Sequence, residues 1–203
     1  MNELSYRTLV WLTYRLAAMF ALGLPLVLLI WSAIKRETSL VRLLSLYWKV
    51  ASLMAISMLL LTSQQPLGYI TALIAPLLMV VSIWFWVDLN EELEDLPAWR
   101  PLPLTVRAWR WALSGSGLLS VVMTGTALNC VQVADGPSCG FWMEAPRGLH
   151  RLVEIVFEFL FGGQWTESVA GFIGYLALVA YVAGFLQWLL VRLPRQRRVA
   201  GGF

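Results

Sequence analysis

Five stretches of this chain are apolar over about 20 residues each, and no other feature restricts its possible folds as strongly. They cover residues 16–34, 43–62, 67–87, 109–128 and 169–191. An α-helix of about 20 residues crosses the hydrocarbon core of a bilayer, which is roughly 30 Å thick. The sequence therefore predicts an all-α fold, a polytopic transmembrane helical bundle with about five spans. Because the connections leave no room for a separate soluble domain, we expect residues 1–203 to form a single integral membrane domain.

The composition is that of a chain whose main solvent is lipid. Hydrophobic residues make up 59% of it and charged residues only 13%, whereas about a quarter of an ordinary soluble domain is charged. The net charge is +3, but the basic residues flank the apolar segments and do not gather into one patch. We therefore predict membrane lipids as partners and no binding of nucleic acid.

The basic residues favour one orientation, because Lys and Arg are enriched in the cytoplasmic connections of membrane proteins. The larger set lies on the cytoplasmic side if the C-terminus does, which places the N-terminus and residues 130–139 on the opposite side. The cytoplasmic set is Lys35, Arg36, Arg42, Lys49, Arg100, Arg107, Arg110, Arg192, Arg195, Arg197 and Arg198, and the opposite set is Arg7, Arg15, Arg147 and Arg151.

Cys130 and Cys139 are the two cysteines of the chain, and they bracket a loop that contains Gly136 and Pro137. The orientation places this loop outside the cytoplasm, where an oxidising environment permits a disulfide. A bond that closes a loop of this size stabilises the fold by roughly 3 kcal/mol. The alternatives are unbonded thiols, or a metal or redox site, although two cysteines and one histidine do not complete a usual zinc set. We predict a structural disulfide and no metal.

Residues 147–161 are typical of an amphipathic helix, with polar residues at helical spacing and aliphatic residues on the remaining face. The segment is too short and too charged to span the bilayer, so we expect it to lie along the outer membrane surface. Its polar stripe is a candidate partner-binding surface, and a merely solvated face is the alternative. The stripe consists of Arg147, Arg151, Glu154 and Glu158.

His150, the single histidine, lies on the same segment, one helical turn before Glu154. An imidazole positioned by a carboxylate can act as an axial ligand to a pigment or haem. The alternative is a solvated histidine at the membrane interface, with no ligand.

Residues 88–95 form an acidic run directly after the third apolar segment. The run lacks the glycine and the twelve-residue frame of a calcium-binding loop, so we interpret it as a candidate partner-binding surface. The alternative is a solvated helix terminus that compensates the charge of Arg100, Arg107 and Arg110. The candidate binding residues are Asp88, Asn90, Glu91 and Glu92.

Several stretches place aromatic residues beside charges at the predicted membrane borders, namely residues 14–16 (YRL), 47–52 (YWKVAS), 82–92 (SIWFWVDLNEE), 109–111 (WRW) and 139–146 (CGFWMEAP). In these stretches the chain resembles a domain-of-unknown-function family of multi-pass membrane proteins from cyanobacteria. The resemblance extends over most of the length. It implies a cyanobacterial membrane, the thylakoid, with residues 130–139 in the lumen, and a role beside a photosynthetic or electron-transfer complex.

These observations predict a non-catalytic accessory subunit or assembly factor of a larger membrane protein complex, a photosystem or a related assembly. One histidine and carboxylates at the membrane borders do not supply the nucleophile, base and orienting group of an enzyme. No cofactor is required, although chlorophyll, carotenoid or lipid binding is compatible with the apolar surface. The alternative function is a small transporter or channel, with a polar path past Arg15 and Lys49.

Overall fold

The computed structural model describes residues 3–97, 99–132, 139–192 and 194, and within these ranges it contains helices and no strand. The all-α prediction is confirmed. Two segments with wider, π-helical turns and one short 3-10 helix accompany eight α-helices in the described residues. The α-helices are α1 (Glu3–Leu16), α2 (Leu24–Lys35), α3 (Thr38–Thr62), α4 (Pro66–Phe85), α5 (Val87–Asp95), α6 (Pro101–Gly125), α7 (Cys139–Phe161) and α8 (Glu167–Gln187). The π segments are Ala17–Gly23 and Trp188–Arg192, and the 3-10 helix is Leu128–Val131.

Four helical stretches in the described residues are long and apolar enough to cross a membrane. Each contains or closely overlaps one of the predicted segments, which indicates an integral membrane protein. The first is longer than predicted, because α1, the π segment and α2 form 33 continuous residues. The four stretches are Glu3–Lys35, Thr38–Thr62, Pro66–Phe85 and Glu167–Val191.

The remaining predicted segment, 109–128, corresponds to α6, which begins earlier and ends at Gly125. This helix has 25 residues and packs along α4. It is not among the four apolar stretches, because Arg107 and Arg110 lie in its first half and small or polar residues follow at positions 114–117. Its partners in the bundle, rather than its own hydropathy, hold it in place.

The long helices alternate in direction, so the bundle has two chemically different ends. We call one the arginine-rich end; there α2, α4 and α8 end and α3 and α6 begin, and it carries Lys35, Arg36, Arg42, Arg100, Arg107 and Arg110. We call the other the cysteine end; there α1 and α8 begin and α3 and α6 end, beside Cys130, Cys139 and α7. Contacts across the bundle establish this arrangement, since Tyr6 bonds Thr126 at one end and Phe85 packs on Trp188 at the other.

The π segment in the first helix has a local cause, which is Pro25. Proline has no N–H, so it cannot bond the carbonyl four or five residues before it, and these carbonyls belong to Ala21 and Phe20. Two side chains from other helices replace the missing donor. The Tyr47 hydroxyl donates to the Ala21 oxygen at 2.7 Å, and Trp109 Nε1 donates to the Phe20 oxygen at 2.8 Å. In hydrocarbon no water is present to bond these oxygens, so the two donors stabilise the irregular turn.

The same arrangement occurs at Pro146, which lies inside α7. The carbonyl four residues earlier belongs to Trp142, and the Tyr14 hydroxyl donates to it at 2.7 Å. The rings of Tyr14 and Trp142 also pack edge to face, with centroids 5.7 Å apart. A tyrosine on a neighbouring helix therefore compensates for a helix-interior proline in both places.

The last helix, α8, is held against α3 by small residues at its start. A Cβ atom on Gly171 would lie 2.5 Å from Ser63 Oγ, and one on Gly174 would lie 3.0 Å from Leu60 Cδ2. Ala170 is fully buried at the same level. Small residues allow this close approach of two helices. We call this contact the α3–α8 seam.

Candidate interaction surfaces

The acidic run predicted at residues 88–95 forms a separate short helix, α5, at the arginine-rich end. Leu89 and Leu93 are each 1% exposed and pack into the main hydrophobic core, while Glu91, Glu94 and Asp95 are exposed. This pattern is that of a surface helix with one buried stripe. The acidic side chains thus form an outward-facing patch at this end of the bundle.

Asn90 connects α5 to the helices on either side of it. Its amide nitrogen donates to the Trp84 carbonyl at 3.1 Å, and its amide oxygen accepts from the Arg110 guanidinium at 2.6 Å. Arg110 also donates to the Ile83 carbonyl at 2.8 Å and lies over the Trp84 ring, 4.1 Å from its centroid. The Ile83 and Trp84 carbonyls belong to the last turn of α4, where helical partners are missing. Asn90 and Arg110 therefore cap α4.

Arg107 caps the acidic helix itself. Its guanidinium donates to the backbone carbonyls of Leu93, Glu94 and Leu96, at 2.7, 3.2 and 3.1 Å. A cation at a helix C-terminus is favourable because the last carbonyls carry partial negative charge. The arginines of α6 thus contact α4 and α5 through backbone oxygens and Asn90.

Of the four residues predicted to bind a partner here, Glu91 is exposed, while Asp88 and Glu92 are half-buried. Asn90 has a structural role within the chain, because both ends of its side chain amide are bonded internally. The sequence does not indicate that Asn90 is bonded within the chain.

Replacement of Asn90 by Ala is expected to lower the free energy of unfolding by about 1–2 kcal/mol, because two hydrogen bonds are lost at the α4 terminus. Glu91→Ala on the same helix is the matched control, with an expected change within about 0.5 kcal/mol. Unfolding with SDS in mixed micelles measures both. Equal effects of the two variants would contradict the capping role of Asn90.

The amphipathic helix predicted at 147–161 is the C-terminal part of α7, which begins earlier, at Cys139. Its first part packs on the bundle, since Trp142, Met143 and Pro146 are buried. Beyond Pro146 the helix continues as an arm, residues 147–161, in which most of the described side chains are exposed. Tyr14 bonds the carbonyl that Pro146 leaves without a donor. The Thr62 hydroxyl lies 3.4 Å from the Pro146 carbonyl and adds a contact to α3.

The aliphatic face and the charged face of the arm of α7 are both exposed in the described part of the chain. The aliphatic face is exposed, most of all at Phe159, which is 88% exposed. Leu149, Leu152, Ile155, Val156 and Leu160 share this face and are also exposed. The predicted stripe of Arg147, Arg151, Glu154 and Glu158 is exposed on the opposite face. The helix is therefore amphipathic, as predicted. A narrower side of it, at His150, Val153 and Phe157, is half-buried, and Phe157 packs on Trp165 with ring centroids 5.2 Å apart.

His150 is half-buried on the arm, and its Nδ1 atom is enclosed without a hydrogen-bond partner in the described residues. Glu154 is exposed, and the described contacts do not join it to the imidazole. Across the described part of the chain, no three His, Cys, Asp or Glu side chains gather where they could hold a metal ion. The ligand role of His150 stays a prediction.

Cys130 and Cys139 form the disulfide that the sequence predicts, with their Cα atoms 5.7 Å apart. Both are 2% exposed and belong to a small core at the cysteine end that includes Val10, Leu61 and Trp142. The predicted turn residues Asp135, Gly136 and Pro137 lie outside the described ranges. The disulfide joins the start of α7 to the short helix that follows α6.

A series of hydrogen bonds beside the disulfide is not predictable from the sequence. Trp142 Nε1 donates to the Tyr6 hydroxyl at 2.9 Å, and the Tyr6 and Thr126 hydroxyls are 2.9 Å apart. Thr126 donates its own proton to the Met123 carbonyl at 2.6 Å, so Tyr6 is the donor to Thr126. The partners are more than a hundred positions apart in the chain, and no local pattern indicates such pairs.

Glu144 is another side chain whose structural role is missed by sequence reasoning. Its carboxylate accepts from Trp11 Nε1 at 2.7 Å and pairs with the Arg7 guanidinium at 3.1 Å. Glu144 thus attaches the start of α1 to the start of α7. Together with the disulfide, it holds the base of the arm on the bundle.

An interior cavity of about 50 Å³ lies among α1, α3, α4 and α6. This volume accommodates a few water molecules. Arg15 and Lys49, the residues predicted for a polar path, do not line it. Its hydroxyl-bearing lining residues are Thr13, Tyr14, Ser57, Ser116, Ser120 and Thr124.

Comparison with known proteins places the chain in a family without giving it an activity. The model of the family described as "Protein of unknown function (DUF3177)" matches residues 7–201. No curated protein and no solved structure matches the chain. Since the match covers nearly all of its length, the chain belongs to the DUF3177 family of proteins of unknown function.

Proposed function

We propose that this protein is a non-catalytic membrane subunit or assembly factor that docks on a larger membrane protein complex. The observation that carries the proposal is the arm of α7, whose aliphatic and charged faces are both exposed. The base of the arm is fixed by the disulfide and Glu144, so the arm is presented in a defined direction. A preorganised helix binds a partner at a lower entropic cost than a mobile one.

The proposed setting is the thylakoid of a cyanobacterium, with a photosystem or a related assembly as the partner. The separation of basic residues between the two ends supports a cytoplasmic arginine-rich end and a lumenal cysteine end. The disulfide supports the same orientation, because the lumenal side is the more oxidising one. In this orientation the aliphatic face of the arm rests in the outer acyl boundary, and its charged face points toward the partner.

The acidic patch of α5 is a second docking surface in this proposal, on the opposite side of the membrane. Glu91, Glu94 and Asp95 are exposed there beside the ion pair between Arg100 and Glu37, whose charged atoms are 3.8 Å apart. Exposed charges of this kind guide association more than they strengthen it.

Native gel electrophoresis of the tagged full chain in mild detergent tests the proposal. The protein is expected to migrate with subunits of a larger complex, and Arg147→Glu with Arg151→Glu is expected to shift most of it to the mass of the chain alone. Lys35→Glu with Arg36→Glu is the matched control, because it makes the same charge change at two exposed residues outside both docking surfaces, and no shift is expected. Migration of the wild-type chain alone would refute the proposal.

A small transporter or channel is the alternative, and the cavity among α1, α3, α4 and α6, whose mainly apolar lining includes six hydroxyl-bearing residues, is the observation that favours it. The cavity of about 50 Å³ has room for water but not for a larger solute. Ion or solute flux into liposomes containing the purified chain would support this alternative over a docking role.

A further inference from the structure

The spacing between α8 and its neighbours is small at the start of α8 and larger toward its end, where aromatic side chains bridge it. At the α3–α8 seam, Gly171 and Gly174 allow direct contact with α3. Toward the arginine-rich end the helices separate, and a Cβ atom on Gly184 would meet nothing within 4 Å. The helix thus begins in close contact and ends beside an open groove.

This groove, between α3, α4 and α8, encloses about 680 Å³. Pockets that bury a ligand of moderate size have volumes of roughly 300–1,000 Å³. Aromatic rings form its end, with Trp188 at 6.0 Å from Phe85, 5.9 Å from Trp86 and 5.9 Å from Phe185 between centroids. Leu78 and Val81 line its side, so the interior is predominantly apolar.

Polar groups are concentrated at the level of the aromatic rings. Lys49 of α3 lines the groove there, and Gln187 of α8 lines it from the other side. Lys49 is exposed and is the basic residue of this lining. A cation at the mouth of an apolar space between membrane helices is complementary to an anionic headgroup with an attached hydrocarbon chain.

We propose that this groove binds an anionic lipid, with one acyl chain between α8 and α4 and its headgroup beside Lys49. The groove opens on the apolar surface of the bundle, since Leu189 and Val191, which line it, are exposed. A neutral carotenoid would not use the cation, and the lining offers no imidazole for a chlorophyll. The site does not depend on docking to a larger complex, so it can be tested on the isolated chain.

The test is native mass spectrometry of the purified full chain after exchange into detergent with phosphatidylglycerol or phosphatidylcholine. We expect retention of phosphatidylglycerol in preference to phosphatidylcholine. Lys49→Gln is expected to reduce that preference about fivefold, which is the typical contribution of one basic side chain near a charged headgroup. Equal retention of both lipids by the wild-type chain, or an unchanged preference in Lys49→Gln, would refute the headgroup assignment.

Gly184→Leu tests the acyl site, because Gly184 lines the groove and a Cβ atom there meets nothing within 4 Å, so the new side chain extends into the groove. Gly115→Leu is the matched control, since Gly115 of α6 also has open space around it and lies outside the groove. We expect Gly184→Leu to reduce the retention of lipid severalfold and Gly115→Leu to leave it unchanged. Equal retention in both variants, or a pigment absorbing in the wild-type preparation in place of lipid, would refute the proposal. Lys49→Gln changes an exposed side chain and keeps the test decisive if Gly184→Leu does not fold.

Discussion

Tyr47→Phe combined with Trp109→Phe is expected to lower the free energy of unfolding by about 3 kcal/mol. Each substitution removes the donor to a carbonyl that Pro25 cannot reach, at Ala21 or at Phe20. A hydrogen bond between membrane helices typically contributes about 0.6–1.7 kcal/mol, and a buried carbonyl left without a donor costs about 1–3 kcal/mol. Unfolding with SDS in mixed micelles measures the change.

Tyr69→Phe combined with Trp48→Phe is the matched control. The Tyr69 hydroxyl and Trp48 Nε1 are also buried, but neither has a hydrogen-bond partner in the described part of the chain. The control therefore removes the same atoms without breaking a bond, and we expect a smaller loss. A loss equal to that of the first pair would contradict the role assigned to the two donors.

Pro25→Ala tests whether the proline is the reason that the Ala21 and Phe20 carbonyls need side-chain donors. Alanine restores the missing N–H, so one of the two carbonyls regains a backbone donor. The Tyr47→Phe and Trp109→Phe pair should then cost less in this background than in the wild-type chain. An undiminished cost would show that the two side chains stabilise the bundle by packing alone.

Replacement of Cys130 and Cys139 by Ser is expected to destabilise the chain by roughly 3 kcal/mol in the chain-entropy account of loop closure. The disulfide also fixes the start of α7, so the loss should be accompanied by faster proteolysis within residues 139–161. Thermal unfolding in detergent, with and without a reductant, measures the change. Reductant should lower the unfolding temperature of the wild-type chain and leave the double variant unaffected.

One outcome of this experiment would contradict the prediction. If reductant has no effect on the wild-type chain, the disulfide does not stabilise the fold. The hydrogen bonds of Trp142 and Glu144 would then hold the base of the arm alone.

The positions of the apolar helices are predictable from the sequence, because hydrocarbon imposes a length and a composition on each span. The ends of some helices are not predictable, because tertiary contacts rather than hydropathy determine where those helices begin. The first helix extends to Glu3 because Arg7 and Trp11 bond Glu144, and α6 extends back to Pro101 although Arg107 and Arg110 reduce its hydropathy. Their guanidinium groups find carbonyl partners on other helices, which no local sequence window contains.

The candidate surfaces are predictable only in part, for a related reason. The amphipathic pattern around Arg151 and Glu154 is local, so the sequence indicates it directly. Tyr47 bonds the carbonyl that Pro25 leaves without a donor, and Tyr14 bonds the one that Pro146 leaves without a donor. Each tyrosine lies on a different helix from its proline, and Tyr14 is more than a hundred positions from Pro146. The groove beside Lys49 is a space rather than a residue type, so it is visible only in the packed bundle.

The α3–α8 seam also acts as a pivot. Three small residues fix one end of α8, and the helix then extends over 21 residues, a rod of roughly 30 Å. With such a lever, a tilt of about 5° at Gly171 moves the far end at Trp188 by about 2 Å. Because Trp188 packs on Phe85 and Trp86, a stress in the surrounding bilayer that tilts α8 would thus be felt first at these two rings, at the junction of α4 and α5.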